Sequence, residues 1–357
     1  LVFLLLAGGP AGAQELRLPL KDGSLRFAVI GDTGTGAQAQ YDVGKQMAAF
    51  HARFPFEFVI MAGDNIYGSD SAGDFERKFE LPYKALLDAG VKFYASLGNH
   101  DNPTQNAYKH FNMGRQRFYT FKPQDGVRLF ALDSNYLDKA QLDWLEQELA
   151  ASGSDWKIPF FHHPPYSSGR KHGSHVDVRR QLEPLFRKYG VDVVFTGHDH
   201  FYERIKPQHG IYYFVCGAGG SLRKGDIDRR TGLTEVGFDT DYSFMLVEID
   251  GAEMHFQAVS RTGQTVDAGV IKQAARGVTR ASPAPPGPPV VPAAVPATPA
   301  PQPTPTPPPG TAPQGTTTPQ VVAPPTPAPP PSPTPKPSPT PRPRRTPRPS
   351  PTPTPRA

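Results

Sequence analysis

Five short segments of this chain set carboxylate, imidazole, amide or phenol groups directly after an apolar run. They are GDTG (31–34), GDNIY (63–67), GNHD (98–101), HHPP (162–165) and GHDH (197–200). Such oxygen and imidazole donors bind Fe, Zn or Mn, and Asp and His also move protons. In four of the five, Gly stands before the polar residue, where it lets the backbone turn sharply and face the next side chain inward. In GHDH the histidines are at i and i+2, so on an extended segment both point to one side with Asp199 turned away. A lone GD pair is common in loops; the ordered set of five indicates one assembled site. The stretch FFHHPPYSSGRKHGSH (160–175) poses its own question, because it holds His162, His163, His172 and His175.

The runs that carry these segments, 25–30, 56–62, 91–97, 156–161 and 191–196, have the length and residue types of strands. Helical patterning over 139–152 and 175–190 lies between them. This alternation predicts βα units in a sheet with several parallel strands, whose ends converge on one crevice. The last third differs: 211–220, 243–250 and 253–260 read as strands without a helix between, and IDGAE is a hairpin signal. That portion is expected to form a second, more antiparallel sheet stacked on the first.

Composition bounds the rest. Of 44 prolines, 33 fall in 281–357, a basic Pro/Thr/Ala/Ser segment without an acidic residue. Its composition predicts an extended, largely polyproline II tail. Removing its six cations leaves 32 Lys and Arg against 33 Asp and Glu, so net charge gives no reason to expect a nucleic-acid partner. The tail is suited to act as a spacer or to make a weak contact with an anionic cell-envelope polymer. Residues 1–13, an apolar run ending in Ala11-Gly12-Ala13, have the shape of a truncated signal peptide. The run is far short of the ~20 residues of a membrane span. A secreted, periplasmic or cell-surface location is therefore expected. The single Cys216 excludes an intrachain disulfide and a thiolate zinc cluster. One globular domain is expected over 22–278.

The ordered motifs from about Arg26 to Gln257 resemble the calcineurin-like metallophosphoesterases, and among them the purple acid phosphatases of the tartrate-resistant type. The resemblance implies an α/β (α+β) four-layer fold: two stacked mixed β-sheets flanked by helices, with the metal site at strand C-terminal ends. It also implies an acid phosphatase that hydrolyses small-molecule phosphomonoesters by in-line attack of a metal-bound hydroxide. Carried over by residue, Asp32, Asp64, Tyr67 and His200 would hold Fe(III), with Tyr67 as a tyrosinate. Asp64, Asn99, His163 and His198 would hold Fe(II), Zn or Mn, with the Asp64 carboxylate bridging. Two ions ~3.5–4 Å apart clamp both the attacking and the leaving oxygen of such a displacement. Asn99, His100 and His172 would contact the phosphate, with His100 hydrogen bonding it or steadying the leaving oxygen and His172 serving as proton donor.

The family pattern is His-x-Pro with a second histidine nine residues on, which His163 satisfies through Pro165 and His172. His162 has Pro164 but then meets Lys171. Adjacent residues leaving a strand face opposite ways, so His162 is expected to face away. His175 either assists His172 or caps the following helix. Asp101 either orients His100 or caps its loop. Asp199, Tyr202, Glu203 and Arg204 are read as structural support. GDTGTG lacks the Lys-Ser/Thr of a nucleotide loop, and the loop 217–226 reads as a flexible border of the site, where Arg223 and Lys224 are read as solvated charges, with contact to substrate as the alternative. His51, His110, His209 and His255 fall outside the motifs. A phosphodiesterase or nucleotidase would share every ligand, and a surface-anchored binding protein with a structural metal site is the alternative from another class.

Overall fold

The computed structural model describes residues 15–274; the expected signal peptide of 1–13 and the expected tail of 281–357 lie outside the described residues. Thirteen strands form two mixed sheets. The first has the order β13-β12-β11-β1-β2-β3. In it β1 (Leu25–Ile30), β2 (Phe58–Ala62) and β3 (Lys92–Ser96) are parallel. Antiparallel to β1 runs β11 (Ser243–Asp250), followed outward by β12 (Glu253–Ser260) and β13 (Thr265–Lys272). The second sheet has the order β10-β8-β9-β7-β6-β5-β4. Its parallel core is β5 (Val127–Ala131), β6 (Trp156–Phe160), β7 (Val193–Thr196) and β9 (Tyr212–Cys216). Antiparallel strands β4 (Tyr119–Gln124), β8 (Tyr202–Ile205) and β10 (Thr234–Phe238) complete it.

The five expected strands are therefore divided between the sheets, three in one and two in the other. The last third does not form a sheet of its own: β11 joins β1 with Leu25 opposite Ile249, whereas β9 belongs to the second sheet. The physical reason is burial. Strand β11 is buried on both faces along seven of its eight residues, and it covers the edge that β1 would otherwise leave open.

Alternation along each strand builds four layers. In β1, Leu25, Phe27 and Val29 face the second sheet, where they meet Leu129, Ile158, Phe160, Val193 and Phe195. Ala28 and Ile30 face outward onto Val43, Met47 and Phe50 of helix α1 (Gln38–His51). On the far side Phe130, Phe161 and Val194 pack against Leu145 and Leu149 of α4 (Lys139–Ala151) and Val178, Leu182 and Phe186 of α5 (Val176–Tyr189). The i, i+4, i+8 spacing on α5 places one apolar stripe against the sheet, and Gly190 ends the helix in the left-handed conformation. The short helices α2 (Ala72–Phe75) and α3 (Lys84–Asp88), joined through a π turn, fill the crossover from β2 to β3.

Residues ahead of β1 are also held. The main chain of Leu20 and Lys21 donates to the buried Glu248 carboxylate, and Arg17 N–H donates to Gln257.

Phe195, fully buried between the sheets, stacks on Phe214 with centroids 5.5 Å apart and meets Phe27 edge-on at 6.2 Å. Phe195→Ala should cost about 3–5 kcal/mol of unfolding free energy in denaturant titration; a loss below about 1 kcal/mol would contradict this packing role.

Candidate metal centre

The ends of β1, β2, β3, β6 and β7 meet at the seam between the two sheets, and their turns carry the five motifs. Two donor groups result, Asp32/Asp64/His200 and His162/His163/His198, each with ligand atoms within 4.8 Å of one another. Asp32, Asp64, His162, His163 and His198 are buried.

The backbone sets this geometry. Asp32, Asp64 and His198 all have left-handed φ, at 54°, 51° and 71°, a conformation that costs a non-glycine residue on the order of 1–3 kcal/mol. The glycines before them have a different purpose from the one expected. Only Gly63 turns with positive φ. At Gly98 a Cβ would lie 2.2 Å from Asp64 N and Oδ1, and at Gly197 it would lie 2.4 Å from Asp32 Oδ2. These positions are bare so that one motif can press its main chain against the carboxylate of another.

Around Asp32, Oδ2 accepts the His198 N–H at 2.8 Å, which leaves Oδ1 facing Tyr67 Oη at 3.2 Å and His200 Nε2 at 3.3 Å. Tyr67 Oη and His200 Nε2 are 3.2 Å apart. Asp64 Oδ1 accepts the His100 N–H at 3.0 Å and stands 3.5 Å from His162 Nε2, so Asp64 touches both groups. Burial, then the Asp64 charge, pushes the Asp32 carboxyl well above the usual carboxylate range. Burial and both carboxylates hold the Tyr67 phenol far above its ordinary value.

His162 does not face away. Strand β6 ends at Phe160, so the alternation rule no longer applies two residues later, and the two rings lie on one side with centroids 4.9 Å apart. His162 Nδ1 meets the Ala62 carbonyl at 3.1 Å, which fixes its proton there because a carbonyl only accepts. Nε2 then points a lone pair at Asn99 Oδ1, 3.0 Å away, and lies 3.0 Å from His198 Nδ1. His163, the expected ligand, stands in the same donor group and has its Nδ1 engaged by Ser134 Oγ at 2.9 Å.

The donors fit a cation. Burial and the neighbouring imidazoles lower both His162 and His163 to about 3, and burial lowers His200 to about 4. With its proton on Nδ1, His162 Nε2 thus turns a lone pair toward Asn99 Oδ1 beside the buried Asp64 carboxyl, an arrangement that is repulsive until positive charge lies between them.

Neighbouring residues sort by their partners. Asp101 accepts from the main chain of Asn65, Ile66 and Gly98 and is a loop cap. Asp199 accepts from Ser167 Oγ and Gly173 N and so clamps the loop carrying His172, whose ring lies 4.2 Å from that of His198. Glu203 ties Ser168 N to Thr234, and Tyr202 and Arg204 share Asp267. His175 makes no capping hydrogen bond; its ring packs 4.4 Å from His163. His100, at the exposed rim, lies 5.0 Å from the Tyr67 ring.

The loop 217–226 is packed rather than loose at its start: Gly219 N–H donates to Gly31 O, and a Cβ on Gly220 would lie 1.9 Å from Thr33 O. Arg223 donates its main-chain N–H to His200 O. Its Nη1 is buried without a hydrogen-bond partner among the described residues. The guanidinium is close enough to act on Asp32, His172 and His200. A solvated cation was expected there; the triplet of glycines around 217–220 was the available sign that this loop packs against the first motif.

With this geometry in hand, relatives can be placed. Residues 25–202 match the family described as calcineurin-like phosphoesterase, and the chain belongs to that family of hydrolases. Tartrate-resistant acid phosphatase type 5 of Homo sapiens is 28% identical over 305 residues, covering 71% of this chain and 94% of that protein. Purple acid phosphatase 17 of Arabidopsis thaliana is 28% identical over 263 residues, covering 63% and 77%. Within the family this chain is a purple acid phosphatase-like metallophosphoesterase. Among solved structures, purple acid phosphatase PPD1 from yellow lupin shares the fold at TM-score 0.58 and 20% identity, covering 71% of this chain and 54% of that one. GAP50, the anchor in the inner membrane complex of Plasmodium, shares it at TM-score 0.63 and 20% identity, covering 71% and 90%.

In metal-free protein the buried imidazoles define a pH dependence. Their folded pKa values, about 3 for His162 and His163, lie below the unfolded value of about 6.5. The unfolded chain therefore binds more protons between those limits, and stability falls as pH drops from about 6.5 toward 3. Asp32, Asp101, Asp199 and Glu203 have the opposite sign, because burial raises their folded pKa values and makes their contribution largest at low pH, but the lowered imidazoles of His162, His163, His172, His175, His198 and His200 outnumber them. Denaturant midpoints of metal-free protein should fall steadily from pH 6.5 to 4; a flat profile would contradict neutral buried imidazoles.

Proposed function

We propose that this protein is an exported binuclear-metal acid phosphatase acting on small phosphomonoesters. The observation that carries this reading is the position of Asp64, a member of the first donor group that also lies 3.5 Å from His162 of the second. One ion would be held by Asp32, Asp64, Tyr67 and His200, and the other by Asp64, Asn99, His162 and His198, with His162 in the place expected for His163. Fe(III) suits the first position, because a strongly Lewis-acidic ion is needed to draw the proton from a phenol so hard to ionise. Fe(II), Zn or Mn suits the second. Export rests on the apolar run and Ala-Gly-Ala site of residues 1–13; no helix among the described residues is long and apolar enough to cross a membrane.

When bound, the ions would supply Lewis-acid charge for the phosphoryl group and an acidified water. The chain's own residues supply the rest. Arg223 offers a buried N–H without a partner, which a phosphoryl oxygen would satisfy as a charge-assisted hydrogen bond. His172, exposed and with its ring 4.2 Å from that of His198, is placed to give a proton to the departing oxygen. His100 at the rim beside Tyr67 is placed to contact the phosphoryl group.

Asp64→Ala should lose both ions by elemental analysis and all activity. His172→Ala should keep two ions per chain while turnover falls about a hundredfold; a wild-type rate would remove the proton-donor assignment. Arg223→Gln should raise KM for p-nitrophenyl phosphate about tenfold with ion content unchanged. Hydrolysis of the monoester over bis(p-nitrophenyl) phosphate distinguishes this reading from a diesterase, and a broad visible band with bound iron tests the tyrosinate.

A further inference from the structure

We infer that His163 is a hydrogen-bond donor to the phosphoryl group rather than a metal ligand, and that Ser134 makes it one. The inference rests on the binuclear reading above and assigns a role to the histidine that reading leaves out.

The adjacent histidines are held in opposite tautomers. His162 has its proton on Nδ1, fixed by the Ala62 carbonyl, and presents a bare Nε2. Ser134 Oγ already accepts the main-chain N–H of His163 at 3.0 Å, and it also meets His163 Nδ1 at 2.9 Å. Ser134 is only 7% exposed, and its hydroxyl has no other hydrogen bond among the described residues. A hydroxyl has one proton to give, and Nδ1 is the acceptor in reach. Were Nδ1 to donate instead, the hydroxyl proton would have no acceptor among the described residues, the less favourable arrangement. The hydroxyl therefore donates to Nδ1, and the imidazole proton sits on Nε2. A protonated nitrogen has no lone pair for a metal; it offers an N–H to an anion.

Position agrees with that chemistry. The His163 ring lies 4.6 Å from that of His198 and 4.4 Å from that of His175. Together with Asn99, Ser134 and His175 it lines a cleft of about 530 Å³ that opens beside the second donor group. A phosphate held against Asn99 and His198 would present an oxygen to this wall. Ser134 acts through His163 and is a positioning residue.

The test uses full-length, metal-loaded protein and two readouts, ions per chain and the Kd for inorganic phosphate by calorimetry. His163→Ala should retain two ions per chain and bind phosphate about tenfold more weakly, whereas His162→Ala should lose an ion. Ser134→Ala should also keep two ions and weaken phosphate binding severalfold. The double variant should be no worse than His163→Ala, because one residue works through the other. His163→Gln, which carries its own N–H donor, should recover part of the affinity and decides the matter should the alanine variant fail to fold. Loss of an ion in His163→Ala, or a phosphate Kd within twofold of wild type in both His163 variants, overturns the proposal. Wild-type protein that binds phosphate yet hydrolyses no monoester would instead overturn the acid-phosphatase reading, and the comparison of phosphate affinities would still decide the role of His163.

Discussion

Everything in this domain is arranged around two carboxyl groups that cannot both stay ionised in a buried crevice without a cation. Asp32 and Asp64 are buried within reach of one another, and the oxygen and nitrogen atoms facing them have lone pairs to offer. Charge of that kind is tolerated in a protein interior only when it is compensated. The helices and sheets hold this arrangement in place. The hydrophobic seam between the sheets brings five strand ends together, and the outer helices cover the faces that the seam leaves apolar. Strained turns at Asp32, Asp64 and His198 then aim the donors inward.

How much of this could be read from the sequence varied with the kind of signal. The five strands that end in polar clusters were legible because each is a short apolar run closed by a turn. Strand β5 was missed because Arg128 interrupts a five-residue run, and β4 because its residues are only partly buried and include Pro123. Strand β8, Tyr202–Ile205, is polar in sequence yet buried, since Tyr202 and Arg204 meet Asp267 and Glu203 meets Ser168 and Thr234. The division of the five strands between two sheets had no local signature. Which strand lies beside which depends on how apolar faces and open edges are covered, a property of the whole chain.

The candidate site was legible to the same limit. Residue types and order located Asp32, Asp64, Tyr67, Asn99, His198 and His200 in one crevice. The expectation that His162 faces away failed because strand alternation was extended beyond the strand, into a segment whose path is set by Ala62 and Ser134 instead; His162 and His163 both stand in the second donor group. Ala62 and Ser134 are distant in sequence, so no spacing rule could have found them. Arg223 was hidden in the same way: an arginine in a glycine-rich loop looks solvated until the loop is seen to lie on the first motif.

The glycines at 98 and 197 have a further consequence. Because they let main chain, rather than mobile side chains, form the walls around Asp64 and Asp32, the cradle has little freedom to widen. Such a cradle selects by ionic radius. A calcium ion, which takes six to eight oxygens at about 2.3–2.6 Å in a flexible shell, would find too few donors and no room to recruit more. The donor set, with imidazoles beside carboxyl groups, is of the kind that smaller transition ions accept.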